Sequence, residues 1–297
     1  MTKRTGEKSQ TARSTKRTAS RDSAAGGESK AALSKEDLRE RSARLWEGQS
    51  QSNRGPRPAV SRLDVVQAAM AIADEKGLGA LTMHALAERL GFTTMAVYRY
   101  FPSKEALIDT IVDVALGSPP HRNEGKGDWR QDVKDWAHAK RAMLCSRPWL
   151  AELPFVAAPH GPNWLRWHEA FLQTISDTGL SPEDMMDMLS IVDGYVRGNS
   201  DTAISLARAQ SQGISIAEWA EAVGADLARA INDPRYPILS AILSSASGGI
   251  SASSPLPARA GRPRTMDGSF DFGLDRVLDG IQLYMSSQTP TAGKTAK

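Results

Sequence analysis

The stretch Thr82–Phe101, TMHALAERLGFTTMAVYRYF, constrains this chain more than any other. Thr82 is a hydroxyl residue fit to cap a helix, and Leu86 and Leu90 recur behind it at helical spacing. Gly91 stops that helix, because glycine adopts a positive φ at no steric cost. Thr93 can cap a second helix, from Thr94 to about Tyr100. Small Ala87 suits a close helix crossing, Gly91 follows four residues later at the turn, and β-branched Val97 comes six residues after that and points inward. Small, Gly and β-branched at that spacing is the pattern of a helix-turn-helix, whose second helix enters the DNA major groove.

The flanks extend the unit. Ser61 and Asp64 form an S-x-x-D capping box, followed by an apolar stripe of Val65, Val66, Ala69, Ile72 and Ala73 that Gly77 and Gly79 end. Leu81, Phe92 and Phe101 are spaced to plug a small three-helix core. Pro102-Ser103-Lys104-Glu105 starts a fourth helix, with Ser103 as N-cap and Leu107, Ile108, Ile111 and Val112 as its buried face. Through the capped first helix, LTMHALAERLGF, TMAVYRYF and PSKEALI, residues 62–117 resemble the TetR family of one-component transcriptional regulators. Phe270–Leu283, FDFGLDRVLDGIQL, looks like the closing helix of a tetracycline-repressor-like C-terminal domain. The resemblance implies an all-α protein, with a helix-turn-helix DNA-binding domain over 58–117 and a helical ligand-binding and dimerisation domain over 118–287.

Composition is compatible with two such domains in 297 residues, 40% of them hydrophobic. No run approaches 18 apolar residues, so no membrane span is expected, and the basic N-terminus lacks the apolar segment of a secretory signal. A single cysteine, Cys145, excludes an intramolecular disulfide, argues against a cysteine-built metal site and fits a reducing cytosol; a cytoplasmic, nucleoid-associated protein is expected from the resemblance. The net charge of +3 is unevenly spread. Residues 1–60 hold 14 Lys and Arg against 7 Asp and Glu, a net of +7, whereas 61–117 hold 5 against 7, a net of −2. The DNA reader is therefore not itself basic; the charge lies in the arm before it.

Residues 1–57 read as a disordered basic arm, too poor in large apolar residues to offset ordering entropy. Within it, SKEDLRERSARLWE over 34–47 is either a marginal helix or one that orders on a partner. Arg54 and Arg57, flanked by prolines just before the reader, suit a narrow minor groove, though a solvated linker reads the same way. Beyond residue 117, helices are expected over 128–146, 163–178, 181–209, 214–232 and 270–284, with a short turn and helix over 234–243. A mobile loop is expected over 244–268 and a disordered tail over 288–297.

In the resembled family the recognition helix reads base edges, which here assigns Thr93, Thr94, Met95 and Ala96 to the groove. Tyr98 and Tyr100 offer hydroxyls, and Lys104 a charge, to phosphates; Thr82 adds its hydroxyl, and Arg99 is exposed by periodicity. Met83 stands where relatives carry a polar base reader, yet its thioether makes no bidentate hydrogen bond. Five of the seven tryptophans fall within 129–167. Trp136, Trp149, Trp164, Trp167, His168, Phe171, Met188 and Tyr195 are candidates to line an apolar effector pocket, against the alternative of a packed core. His138 and His160 are further polar candidates. Gly194-x-x-x-Gly198 suits a close helix crossing, either within the chain or between subunits; it lies on a long helix that, with the last helix, makes the two-subunit interface in the family. The expected partners are thus a pseudo-palindromic double-stranded DNA operator, a small-molecule effector and a second copy of the chain, with no cofactor or metal. The competing class is a helical-pocket enzyme or carrier with a DNA- or protein-binding appendage. The chain has no H-E-x-x-H, G-x-S-x-G or P-loop to support it.

Overall fold

The computed structural model describes residues 35–47, 60–120, 127–153, 160–231, 233–245 and 266–288. Every regular element among them is a helix. In order these are α1 (Lys35–Glu47), α2 (Arg62–Lys76), α3 (Met83–Leu90), α4 (Thr94–Tyr98), α5 (Lys104–Leu116), α6 (Trp129–Ser146), α7 (Pro162–Ile175), α8 (Pro182–Ser211), α9 (Ile216–Ile231), α10 (Pro237–Ser245) and α11 (Met266–Gln288). Short 3-10 turns cover Leu78–Ala80, Pro148–Glu152 and Ser176–Thr178.

Local chemistry starts the reader's helices where the sequence signals them. Ser61 and Asp64 form both halves of the capping box on α2. Thr82, Thr93 and Ser103 each accept a backbone N–H as N-caps of α3, α4 and α5. Gly91 closes α3 at φ 68° in the left-handed region. α4 is one turn long and ends at Tyr98, shorter than expected, with Arg99 and Tyr100 in the turn that follows. Val65, Val66, Leu81, Leu86, Val97, Phe101, Leu107 and Ile111 form the core beneath it. Phe92 does not plug that core: it is half-buried and stacks on Tyr100, with ring centroids 6.5 Å apart.

The rest of the chain builds on α6, α7, α8 and α11. α8 caps on Ser181 and carries proline at its first turn. It meets α11 through Tyr195, whose hydroxyl donates to the Phe270 carbonyl at 2.7 Å, and through Tyr284, whose hydroxyl donates to Asp184 at 2.7 Å. Gly273 allows that crossing, since a Cβ there would collide with the Tyr195 hydroxyl. α9 and α10 pair with each other. α10 ends at Ser245 and α11 begins at Met266, so both ends of the expected 244–268 loop are helical, and 246–265 lie outside the described residues.

The expected boundary near residue 117 is crossed by packing. Trp149 Nε1 donates to Asp74 Oδ1 on α2 at 2.6 Å, and Arg147 donates to the Ala115 carbonyl at 3.2 Å. Trp167 Nε1 donates to the Leu116 carbonyl at 2.9 Å. Asp113 on α5 accepts the backbone N–H groups of Asn163 and Trp164, so a side chain of one element caps the start of another. Gly161 is obligatory there, because a Cβ would strike the Asp113 carboxylate. α1, the marginal helix of the sequence, docks on α5 through Arg41 and Asp109, with Leu45 buried beneath it.

Candidate DNA-reading surface and aromatic cluster

α4 is too short to stand alone, and its position follows from its caps and from Val97 and Phe101, both without accessible surface. That burial turns the other side of α4 outward. Met95 is 75% exposed and Tyr98 42% exposed, while Thr93 and Arg99 are exposed and Thr94, Ala96 and Lys104 half-exposed. Thr82 is exposed and accepts the Ala85 N–H at 3.0 Å, which leaves its hydroxyl proton for an outside acceptor.

Two assigned residues are differently employed. Met83 is 6% exposed and sits in the core, because it shares a face with Leu86 and Ala87 at i+3 and i+4. It is a packing residue and not a base reader. The Tyr100 hydroxyl donates to the Val60 carbonyl at 3.0 Å, so its proton ties the turn after α4 to the residue before the cap of α2 and is not offered to a phosphate. Arg54 and Arg57 lie outside the described residues. Of the other reader cations, Arg89 is held by Glu75 at 2.7 and 2.8 Å, and Arg62 lies over the Phe101 ring at 4.5 Å.

The aromatic candidates divide into three settings. Trp136, Trp167 and Phe171 pack edge-to-face at centroid distances of 5.9 and 5.0 Å and are almost fully buried. Trp136 Nε1 donates to the Trp167 carbonyl at 2.9 Å. Met188 is buried with them, and Tyr195 is engaged at α11. Trp149 belongs to the junction with α2, its polar edge taken by Asp74. Trp164 and His168 form the third setting. Half-buried, they stack with His160 in a row, at centroid distances of 3.8 and 3.4 Å. The Trp164 Nε1 is buried without a hydrogen-bond partner among the described residues. His138 is apart from them and pairs with Asp271 at 2.9 Å.

Sequence reasoning missed Lys140. It is 2% exposed, lies 4.8 Å from the centre of the Trp136 ring and pairs with Asp193. Burial lowers its pKa, and Asp193 opposes that shift. Burial likewise lowers the His168 pKa, while the Nδ1 of His168 donates to the Trp164 carbonyl at 2.8 Å. A lysine at i+4 from Trp136 reads as an ordinary solvated face in sequence, so nothing there marks it. A separate cavity of about 300 Å³ lies between the start of α6, the end of α7 and the last turns of α11, lined by Trp129, Thr174, Asp177, Gln282 and Met285 among others.

Residues 65–111 match the family described as bacterial regulatory proteins, tetR family, and residues 120–285 match the tetracyclin repressor-like C-terminal domain. The chain belongs to the TetR family. It is a DNA-binding transcriptional regulator. Among relatives of this TetR-family chain, the HTH-type transcriptional repressor DrrR1 of Streptomyces coeruleorubidus is 29% identical over 246 residues, 82% of this chain and 85% of that one. The fold is shared with apo ActR of Streptomyces coelicolor, at TM-score 0.61 and 20% identity over 78% of this chain and 99% of the other. ActR in complex with actinorhodin aligns at TM-score 0.60 and 21% identity, over 76% of this chain and 97% of the other. Among the described residues no helix is long and apolar enough to cross a membrane.

Proposed function

We propose that this TetR-family chain is a non-enzymatic, cytoplasmic repressor that binds a pseudo-palindromic operator as a homodimer and is released by a small, mostly apolar effector. The observation that carries the DNA-reading assignment is the outward side of α4, where Met95 projects an apolar side chain into solvent from a rigidly capped helix. On this reading Thr93, Thr94, Met95 and Ala96 meet base edges, with apolar contact to thymine methyls prominent, and Thr82, Tyr98, Arg99 and Lys104 meet phosphates. The dimer reading draws support from α8 and α11. Gly194 and Gly198 are exposed, nothing among the described residues lies within 4 Å of a Cβ built on either, and Met186, Ile191 and Leu283 are exposed along the same two helices. The effector reading draws support from the His160–Trp164–His168 stack, whose central indole has a buried N–H without an acceptor among the described residues. The small-molecule complex of ActR belongs to that protein and is the analogy on which the effector rests.

Selection from a randomised DNA pool with the full chain, wild type and Thr94→Ala, tests the reading. Distinct preferred sites support the groove assignment, with a change of about 1–3 kcal/mol per misread base pair. Identical sites remove it.

A further inference from the structure

Asp109 and Asp113 lie four residues apart on one face of α5, and both are buried. A carboxylate in that position needs hydrogen-bond donors or a cation, since burying it alone is costly. Asp113 finds its donors at the start of α7, in the Asn163 and Trp164 N–H groups. Asp109 finds its cation 68 residues earlier in the chain. Arg41 of α1 grips it with both arms of its guanidinium, Nε to Oδ2 at 2.8 Å and Nη2 to Oδ1 at 2.6 Å. The hydrogen bond to Asp109 raises the Arg41 pKa.

α1 is built for this contact. Leu38, Arg41, Ser42 and Leu45 recur at helical spacing and form its inner side, with Leu45 buried. Its other side is exposed and largely charged, apart from Trp46. The segment precedes both stretches that match the family, the first of which begins at residue 65. It therefore adds a clasp to α5, the helix that packs on the reader at α2 and on the C-terminal helices at α7.

We propose that α1 is an intramolecular latch: the Arg41–Asp109 clasp holds α5 in one position and thereby sets operator affinity without touching DNA. The inference rests on the operator-binding reading above. Sliding or tilting α5 relative to α1 breaks a two-point hydrogen bond and strands a buried charge, so the clasp biases one arrangement of α5 over others. Its influence on DNA is energetic coupling through α5.

The test uses the full chain and the DNA that the wild type selects from a randomised pool. If the wild type selects no DNA, the operator reading fails before the latch is questioned. Operator Kd and its salt dependence are then measured for Arg41→Ala, Asp109→Asn and the double variant, each checked for helical content at the assay temperature. Arg41→Lys serves as a milder variant that keeps the charge but not the fork. The latch requires both single variants to shift Kd in the same direction, by about three- to thirtyfold. The double variant shifts it no further, because the two side chains act as one contact. The slope of log K against log salt stays at its wild-type value. An unchanged Kd in folded Arg41→Ala and Arg41→Lys overturns the proposal. So does a slope that falls by about 0.9 for Arg41→Ala, since Arg41 would then be a phosphate contact.

Discussion

His168 shows how burial sets a titration in this chain. Desolvation pushes its pKa below the ordinary 6.5, while the Trp164 carbonyl and Asp193 oppose the shift and Lys140 and His160 add to it. For a base with a depressed folded pKa, the neutral form is the one that fits the fold. Its contribution to stability is fully present above pH 6.5 and is lost as pH falls through the lowered value. His160 shifts in the same direction, also through burial. The expected outcome is a thermal midpoint that drops on going from pH ~7.5 to pH ~5, and drops less in His168→Gln. Equal drops in the two proteins would assign the pH dependence elsewhere. At the same scale, Gly91→Ala forces a side chain to φ 68° and should cost about 1–2 kcal/mol in denaturant unfolding. Some of this detail is legible in sequence and some is not. Gly91, Thr82, Thr93 and Ser103 declare themselves because a cap is a contact between residues three or four apart. Met83 takes a reader's role only by analogy with the family, and its i+3 and i+4 neighbours Leu86 and Ala87 mark the buried face that overrules it. Trp149 groups with the other tryptophans in sequence because composition cannot say which helix a side chain will meet.

Elements in this fold are positioned largely by other elements. α4 contributes one turn and depends on Val97 and Phe101 beneath it. α7 has no side-chain cap of its own and borrows Asp113 from α5. Asp113→Ala should therefore fray the start of α7 and cost about 1–3 kcal/mol, read by chemical denaturation and by faster hydrogen exchange at Asn163 and Trp164. Burial raises the Asp113 pKa, while the two N–H donors oppose the shift. The Trp136–Trp167–Phe171 cluster packs as core. Trp136→Ala is expected to lose about 3–5 kcal/mol of stability, so a pocket role for that residue needs a folded, milder variant such as Trp136→Phe. The helices themselves are readable from periodicity and punctuation, within a few residues at each end. The cross-element contacts are not, because Arg41 and Asp109 are 68 positions apart and Asp113 and Asn163 are 50 apart.

For the whole molecule, charge and symmetry carry the expectations. The reader's net charge of −2 against the arm's +7 makes the arm an expected contributor to salt-dependent attraction to DNA, beside Arg99 and Lys104. Removing residues 1–33, which hold 8 Lys and Arg against 3 Asp and Glu, leaves α1 in place. It should flatten the salt dependence of operator binding by about 0.9 for each phosphate that residues 1–33 no longer neutralise; an unchanged slope would make that part of the arm a bystander. Two recognition helices about 34–36 Å apart are needed to read adjacent half-sites, so light scattering should report a dimer. A monomer at micromolar concentration, with and without DNA, would refute the dimer reading.

The junction around residue 117 also bears on how freely such regulators can exchange parts. Asp74, Asp113 and the Leu116 carbonyl all sit on the reader side, and their donors Trp149, Asn163, Trp164 and Trp167 all sit on the other. A chimera that grafts residues 60–117 onto a foreign C-terminal half inherits acceptors stripped of their donors, and the buried ones, on Asp113 and Leu116, cost about 1–3 kcal/mol each if they stay dry. Against a total stability of about 5–15 kcal/mol, a clean cut at the linker is a poor recombination point. A crossover that carries the Pro148–Glu152 turn and the first turns of α7 along with the reader should fold where the simpler graft does not. The heritable unit of this protein is thus larger than its DNA-binding motif, and shuffling libraries scored by soluble expression would reveal where its borders fall.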